Sequence, residues 1–309
     1  MNKKTLAILK ATFTVFIWGT SFVATKIALR YVSPVTVVWL RFATGMFVLA
    51  CAVFLRKQFQ WVSWKDALYF LLLGFLGITF HQWLQSNGLV TSQATTTAWI
   101  VTTTPIFIAL LGWVALKEKL SGNQVAGVLL AAIGVILVVS KGRLGTLFQG
   151  QFGSPGDYLI MISSVNWAVF TVLSRRGLKT FPPALMMLYV MLFGWLFVSI
   201  LFFAGPGLVE IHSLPWQGWL ATVVVLGVFS SGIAYIFWYD ALSVLPVAQT
   251  GAFVYLEPFV TAIVAAFLLN ERLGLVGFMG GLTILAGIWL VNRTTLQKKH
   301  LRSGQPSPS

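Results

Sequence analysis

The sequence predicts an all-α integral membrane protein with ten transmembrane helices arranged as two inverted five-helix repeats. Three observations carry that prediction. Of the 309 residues 58% are hydrophobic and 9% are charged, and mean hydropathy is +0.86, whereas a soluble globular chain is nearer half apolar and a quarter charged. A bilayer core about 30 Å thick takes ~20 mostly apolar residues per helix, and such runs follow one another almost from end to end. The second half of the chain repeats motifs of the first.

Turn and charge signals divide the apolar sequence into spans at approximately 8–29, 35–55, 66–87, 94–116, 123–141, 157–176, 183–204, 217–240, 247–269 and 275–292. The breaks include "YVSP", "RKQFQWVSWKD", "KEKLSGN", "KGRLGTLFQGQFGSPGD", "GPGLVEIHSLP" and "NERLG". The links near "GLVTSQ" and "ALSVLP" are shorter, and the tail "QKKHLRSGQPSPS" is polar and expected to be disordered.

Lys and Arg fall unevenly on the two sides of these spans. The N-terminus, alternate loops and the C-terminus carry fifteen, the other side carries four (Arg30, Lys141, Arg143 and Arg272), and Lys26 and Arg41 lie within spans. The positive-inside rule then places both termini in the cytoplasm, with the chain in the cytoplasmic (inner) membrane. In a soluble chain a net charge of +14 would suggest a nucleic-acid partner. Here the charge reports topology, and no nucleic acid is expected.

Other function classes find little support. Cys51 is the only cysteine, His81, His212 and His300 are scattered, and there is no phosphate-binding G-x-x-x-x-G-K-[ST] loop. No metal, cofactor or nucleotide-driven pump is expected. With seven acidic residues and no clear Ser/His dyad, an enzyme is not expected either. A channel or membrane sensor remains a rival.

The repeat is the strongest functional signal. From "GLVTSQATTTAWIVTTTP" and "ALSVLPVAQTGAFVYLEP" onward the halves align without a gap at an offset of 153, placing Pro105 on Pro258, Glu118 on Glu271, Gly127 on Gly280 and Gly134 on Gly287. Nearer the N-terminus the offset is 149, placing Trp18 on Trp167, Lys26 on Arg175, Pro34 on Pro183 and Gly45 on Gly194. The first span therefore has a partner in the sixth and is retained, not cleaved as a signal peptide. This divides the chain into a first repeat over 1–145, a second over 146–293 and a tail over 294–309. Five spans per copy invert the second copy relative to the first, and inverted repeats characterise secondary transporters with midplane substrate sites.

The five-plus-five layout, "WGTSFVATKIAL" with its partner "NWAVFTVLSRRGL", and the doubled proline and "(L)xE(K/R)L" pattern resemble the EamA-type branch of the drug/metabolite transporter superfamily. The resemblance covers about residues 8–292. It implies ten helices around a central cavity and a carrier of amino acids or other small metabolites, more characteristically an exporter than an importer. An importer, or an exchanger of phosphorylated metabolites, is the alternative.

Polar residues inside spans are the site candidates, because polar groups facing lipid are costly. His81, Gln82, Gln85 and Ser86 form one polar face on the third span. His81 is read either as a proton relay or substrate donor, or as an interhelical hydrogen bond. Trp99 and Thr103 on the fourth span, Tyr235 and Trp238 on the eighth, Trp18 on the first and Trp167 on the sixth recur at helical spacing with other polar or aromatic residues. Their rings suit an amphipathic organic solute through area and cation–π contact, and plain helix packing is the competing reading.

Lys26, Arg41 and Arg175 lie near enough to span ends to snorkel, which is preferred to an anion site. Glu118 and Glu271 read as helix-end turns with local charge pairing. Gly127, Gly134, Gly280, Gly287 and the Gly277/Gly281 pair read as close helix packing.

Glu257 is the sharpest candidate. It lies about ten residues from either end of its span, where an acidic side chain costs roughly 3 kcal/mol on insertion scales. Pro258 removes a backbone hydrogen bond and frees a carbonyl near Val254. Thr104-Pro105 repeats that break without the acid, so Pro105 and Pro258 belong to the scaffold and the carboxylate is an addition to one copy. Glu257 is expected to bind an amino group of the substrate, a coupling proton, or each in turn. A hydrogen bond to Tyr255 or a facing Thr is the structural alternative. The expected partners are a small-molecule substrate, the lipid bilayer and protons; oligomeric state is not legible.

Overall fold

The computed structural model describes residues 2–116, 121–141, 153–245, 247–272 and 274–303. Its long helices are α1 (Lys3–Ala28), α2 (Pro34–Leu55), α3 (Trp64–Thr91), α4 (Ala94–Val101 and Thr104–Leu116), α5 (Gly122–Ser140), α6 (Pro155–Thr180) and α7 (Pro183–Ala204). After a short α8 (Gly207–His212) come α9 (Trp216–Leu242), α10 (Val247–Phe253, a 3-10 turn Val254–Leu256, and Glu257–Leu269) and α11 (Leu275–Ser303). Among the described residues there is no strand. Within the described residues nine helices are long and apolar enough to cross a membrane, and Leu275–Val291 of α11 is a shorter apolar stretch.

Local chemistry explains the ends. Ser121 with Gln124 and Ser154 with Asp157 form capping boxes that satisfy the first N–H groups of α5 and α6. Pro34, Pro155 and Pro183 sit in the first turns of their helices, where the missing N–H has no intrahelical partner to lose. Of the tail expected from 294, the structure describes residues as far as Ser303, and α11 runs on to that residue. Its residues 293–303 contain neither Gly nor Pro, and Leu, Gln, Lys and Arg favour helix.

Helices α3 and α9 each contain a π-helical stretch, Phe75–Phe80 and Leu220–Ile233. Such wide turns disturb the regular ladder, and away from water the freed carbonyls need donors. Neighbouring helices supply them. The Asn166 amide donates to Leu76 O at 2.7 Å, Trp18 Nε1 to Ser230 O at 3.2 Å, and the Thr14 hydroxyl lies 3.1 Å from Ala234 O.

Packing follows a paired plan. Helix α2 lies on α9 and α7 on α3; α1 lies on α9 and α10, and α6 on α3 and α4; α5 packs on α11. The last pair is tight. A Cβ on Gly127 would meet Gly287 O at 2.6 Å, and one on Gly134 would meet Gly280 O at 2.6 Å. The reversed order of these contacts makes the two helices antiparallel. Small residues allow such backbone approach, as the glycine spacing predicts. Gly281 serves differently: it makes room for the indole of Trp99.

Candidate functional site

Trp18, deep within α1, sets its ring 5.5 Å from Tyr235 and 5.1 Å from Trp238. The two partners are three residues apart on α9 and so share a face. All three remain part-exposed. Gly19, the next residue, brings α10 close: a Cβ there would lie 2.9 Å from the Glu257 carbonyl oxygen. The Thr261 hydroxyl, 2.8 Å from Gly19 O and 2.9 Å from Glu257 O, fastens the crossing.

Glu257 is 7% exposed. It opens the second half of α10, where the positive end of the half-helix dipole favours an anion. Among the described residues its carboxylate makes no hydrogen bond and no ion pair. Thr261 binds the Glu257 backbone and leaves the carboxylate alone, so the structural alternative of a facing threonine is not what is found.

On α3, His81, Gln82, Gln85 and Ser86 are all buried, so the polar face points inward as expected. His81 Nδ1 lies 3.1 Å from Ser163 O on α6. A carbonyl only accepts, so Nδ1 carries a hydrogen and Nε2 is the second functional position. The interhelical bond is thus made, and the imidazole also rests on Trp167 at 4.7 Å. Gln85 has no hydrogen-bond partner among the described residues.

Arg41 departs from the snorkelling expectation. It is 7% exposed and turns into the bundle, where Nε donates to Ser231 Oγ at 2.8 Å. Its terminal nitrogens donate to Gln82 Oε1 and Ser230 Oγ, both at 3.2 Å. Ser230 and Ser231 lie eleven or more residues from either end of α9, so hydroxyls on a facing helix outcompete the distant interface. Through Gln82 and Ser230 this guanidinium joins the His81–Trp167 group to the Trp18–Tyr235 group. Arg175 is exposed, consistent with snorkelling, and Lys26 reaches the Ser92 carbonyl at a helix end.

Two candidates sit apart from this cluster. Trp99 is fully buried in apolar packing between α4, α5 and α11, against Phe259 at 5.3 Å, with no acceptor for its Nε1 among the described residues. The Thr103 hydroxyl donates to Ile100 O at 2.6 Å, within the α4 break at Pro105. Glu271 does not pair with a local charge. Its carboxylate accepts from Ala94 N, Thr95 N and Thr95 Oγ1 at 3.0–3.1 Å, capping α4 from the end of α10. Glu118 lies outside the described residues.

Two cavities of about 270 and 390 Å³ share Gln93 at the end of the bundle where α3 meets α4. Neither is lined by a residue expected to bind substrate. At the other end Asp240 takes Lys10 at 2.6 Å and a two-pronged contact from Arg56 at 2.7 and 3.0 Å.

Comparison with known proteins agrees with this architecture. The model of the EamA-like transporter family matches residues 5–140 and 154–293. An "Uncharacterized transporter" of Archaeoglobus fulgidus is 30% identical over 304 residues, 97% of this chain and 100% of the relative. A Streptantibioticus cattleyicolor protein named "Probable terminal-alkyne amino-acid exporter" is 25% identical, covering 96% of this chain and 97% of its own. A solved structure at 20% identity shares the fold with a TM-score of 0.64, over 96% of this chain and 98% of that one.

Proposed function

The chain belongs to the EamA-like transporter family, and on that premise we propose that it is a secondary transporter exporting a small amphipathic metabolite, such as an amino acid or related compound. It works by alternating access across the cytoplasmic membrane, with ten spans and both termini in the cytoplasm. The observation that carries the reading is Glu257, an acid kept in the middle of an apolar helix with no partner for its carboxylate among the described residues. Such a group costs stability unless it serves a ligand or proton. Its neighbours Trp18 and Tyr235 offer aromatic area, so an ammonium on an organic solute fits the surroundings. A relative named as an amino-acid exporter supports the substrate class.

The packing plan supports inverted repeats at 1–145 and 146–293. Exchanging each helix for its counterpart turns α2-on-α9 into α7-on-α3 and α1-on-α10 into α6-on-α4, both of which occur. The Gly127–Gly287 contact becomes Gly280–Gly134, which also occurs. Rocking one half against the other about such an axis alternates access.

The test compares small molecules in medium and cytosol of cells making wild type, Glu257→Gln or neither. A compound enriched outside only by wild type is the expected result. Equal enrichment by Glu257→Gln removes the carboxylate from the mechanism, and no difference from empty cells overturns export.

A further inference from the structure

We propose that Arg41 is a carboxylate-binding subsite, taking the anionic end of the substrate while Glu257 takes its ammonium. This rests on the transporter reading above. The chain has seven acidic residues, and Glu118 lies outside the described residues. Asp66 is held by Ser63, Asp157 by Ser92 and Ser154, and Glu210 by Ser33. Asp240 holds Lys10 and Arg56, and Glu271 caps α4. Glu257 is unpaired. Among the described residues, then, no carboxylate neutralises Arg41.

A guanidinium stays charged in a protein, and a buried charge without its counter-ion is strongly unfavourable. The three groups that hold Arg41 are neutral. They use three of its five N–H donors, and each terminal nitrogen keeps one. Two donors on a planar fork match the two oxygens of a carboxylate.

Ser230 accepts from Arg41 through its hydroxyl and from Trp18 through its carbonyl. Trp18 lies against Tyr235, and Gly19 touches the Glu257 backbone. A buried guanidinium and a buried carboxyl group thus flank a shared aromatic group. That pairing suits a zwitterion; a phosphate dianion would leave a net negative charge beside Glu257.

The experiment uses the full chain in liposomes preloaded with unlabelled L-amino acids, and follows counterflow of a uniformly labelled mixture of L-amino acids. The same mixture is offered with the carboxylate blocked as amides, and with the amine blocked by N-acetylation. Wild type should exchange the free mixture, and lose about tenfold or more with the amides. Arg41→Gln should exchange free and amide forms at one rate. Amides exchanged as fast as free amino acids by wild type overturn the subsite, as does a preference retained by Arg41→Gln. Because Arg41 also joins three helices, the wild-type arm decides alone if the variant does not assemble. Stronger competition by phenyl phosphate than by the N-acetyl mixture overturns the choice of carboxylate. Exchange of none of the forms overturns both this proposal and the carrier reading, whereas exchange without carboxylate preference overturns this proposal only.

Discussion

Helices α4 and α10 are broken at matching prolines, yet the two breaks are finished in different ways. Pro105 removes the N–H that would reach Val101 O, and the Thr104 hydroxyl donates there instead at 2.7 Å. Thr102 and Thr103 similarly serve Ala98 O at 2.7 Å and Ile100 O at 2.6 Å. In α10 the same three places hold Tyr255, Leu256 and Glu257. There the Val254 carbonyl is taken by the backbone N–H of Glu257 in a 3-10 turn. The first copy uses side chains to complete its scaffold. At the matching carbonyl the second uses the backbone N–H of Glu257 instead, so the Glu257 side chain is not spent on that bond.

The strongest way to break this comparison is to give one copy the other's residue. Glu257→Thr should preserve the break, since threonine at the matching place in α4 does so, and the variant should reach the membrane in wild-type amounts. Transport measured in the same cells should fall by about a hundredfold, the loss of a charge-assisted contact to substrate. Normal transport by this variant would make the difference between the copies incidental.

A second test asks whether the divergence is confined to the break. Gly134→Val and its counterpart Gly287→Val each push a side chain into the facing backbone, at a cost of about 1–3 kcal/mol. Thermal unfolding of the detergent-solubilised protein should show losses of similar size for both. A large loss at one and none at the other would mean that the copies also differ in packing.

The smallest effect belongs to Thr104→Val. Leaving Val101 O without its donor should cost about 0.5–1.5 kcal/mol, with transport retained. Loss of transport at unchanged stability would move function into the first copy.

Much of this arrangement is legible in one dimension. The prolines, glycines and tryptophans recur at nearly constant offsets, so the helix boundaries and the two breaks follow from local chemistry. The inward face of α3 is equally plain, because His81, Gln82, Gln85 and Ser86 cluster at helical spacing. Side-chain direction is harder. Trp99 and Trp18 look alike as tryptophans within apolar spans, and only Gly281, on a helix far along the chain, decides that Trp99 is packing. The π-helical stretches carry no comparable spacing signal; their carbonyls are satisfied by Asn166, Trp18 and Thr14 from other helices. Glu271 sits in a turn whose local charges suggest pairing, but its partners are backbone groups more than 170 residues earlier.

Arg41 also has a history during synthesis. Ser231 and Ser230 are 190 and 189 residues away in sequence, so α2 is made long before its guanidinium can meet them. At about 5–20 residues per second the interval is about 10–40 s. In that time α2 enters the bilayer carrying a lone cation, at a cost of about 2.5–3.5 kcal/mol for an arginine at the helix centre. Its eleven Val, Leu and Phe residues, at about −0.3 to −0.6 kcal/mol each at the centre, are enough to offset that. Arg41 is seven residues from the helix start, about 10 Å by helical rise, so in the nascent helix it can still lean toward the headgroups. The inward position of Arg41 thus depends on hydroxyls that α9 brings 189 and 190 residues later.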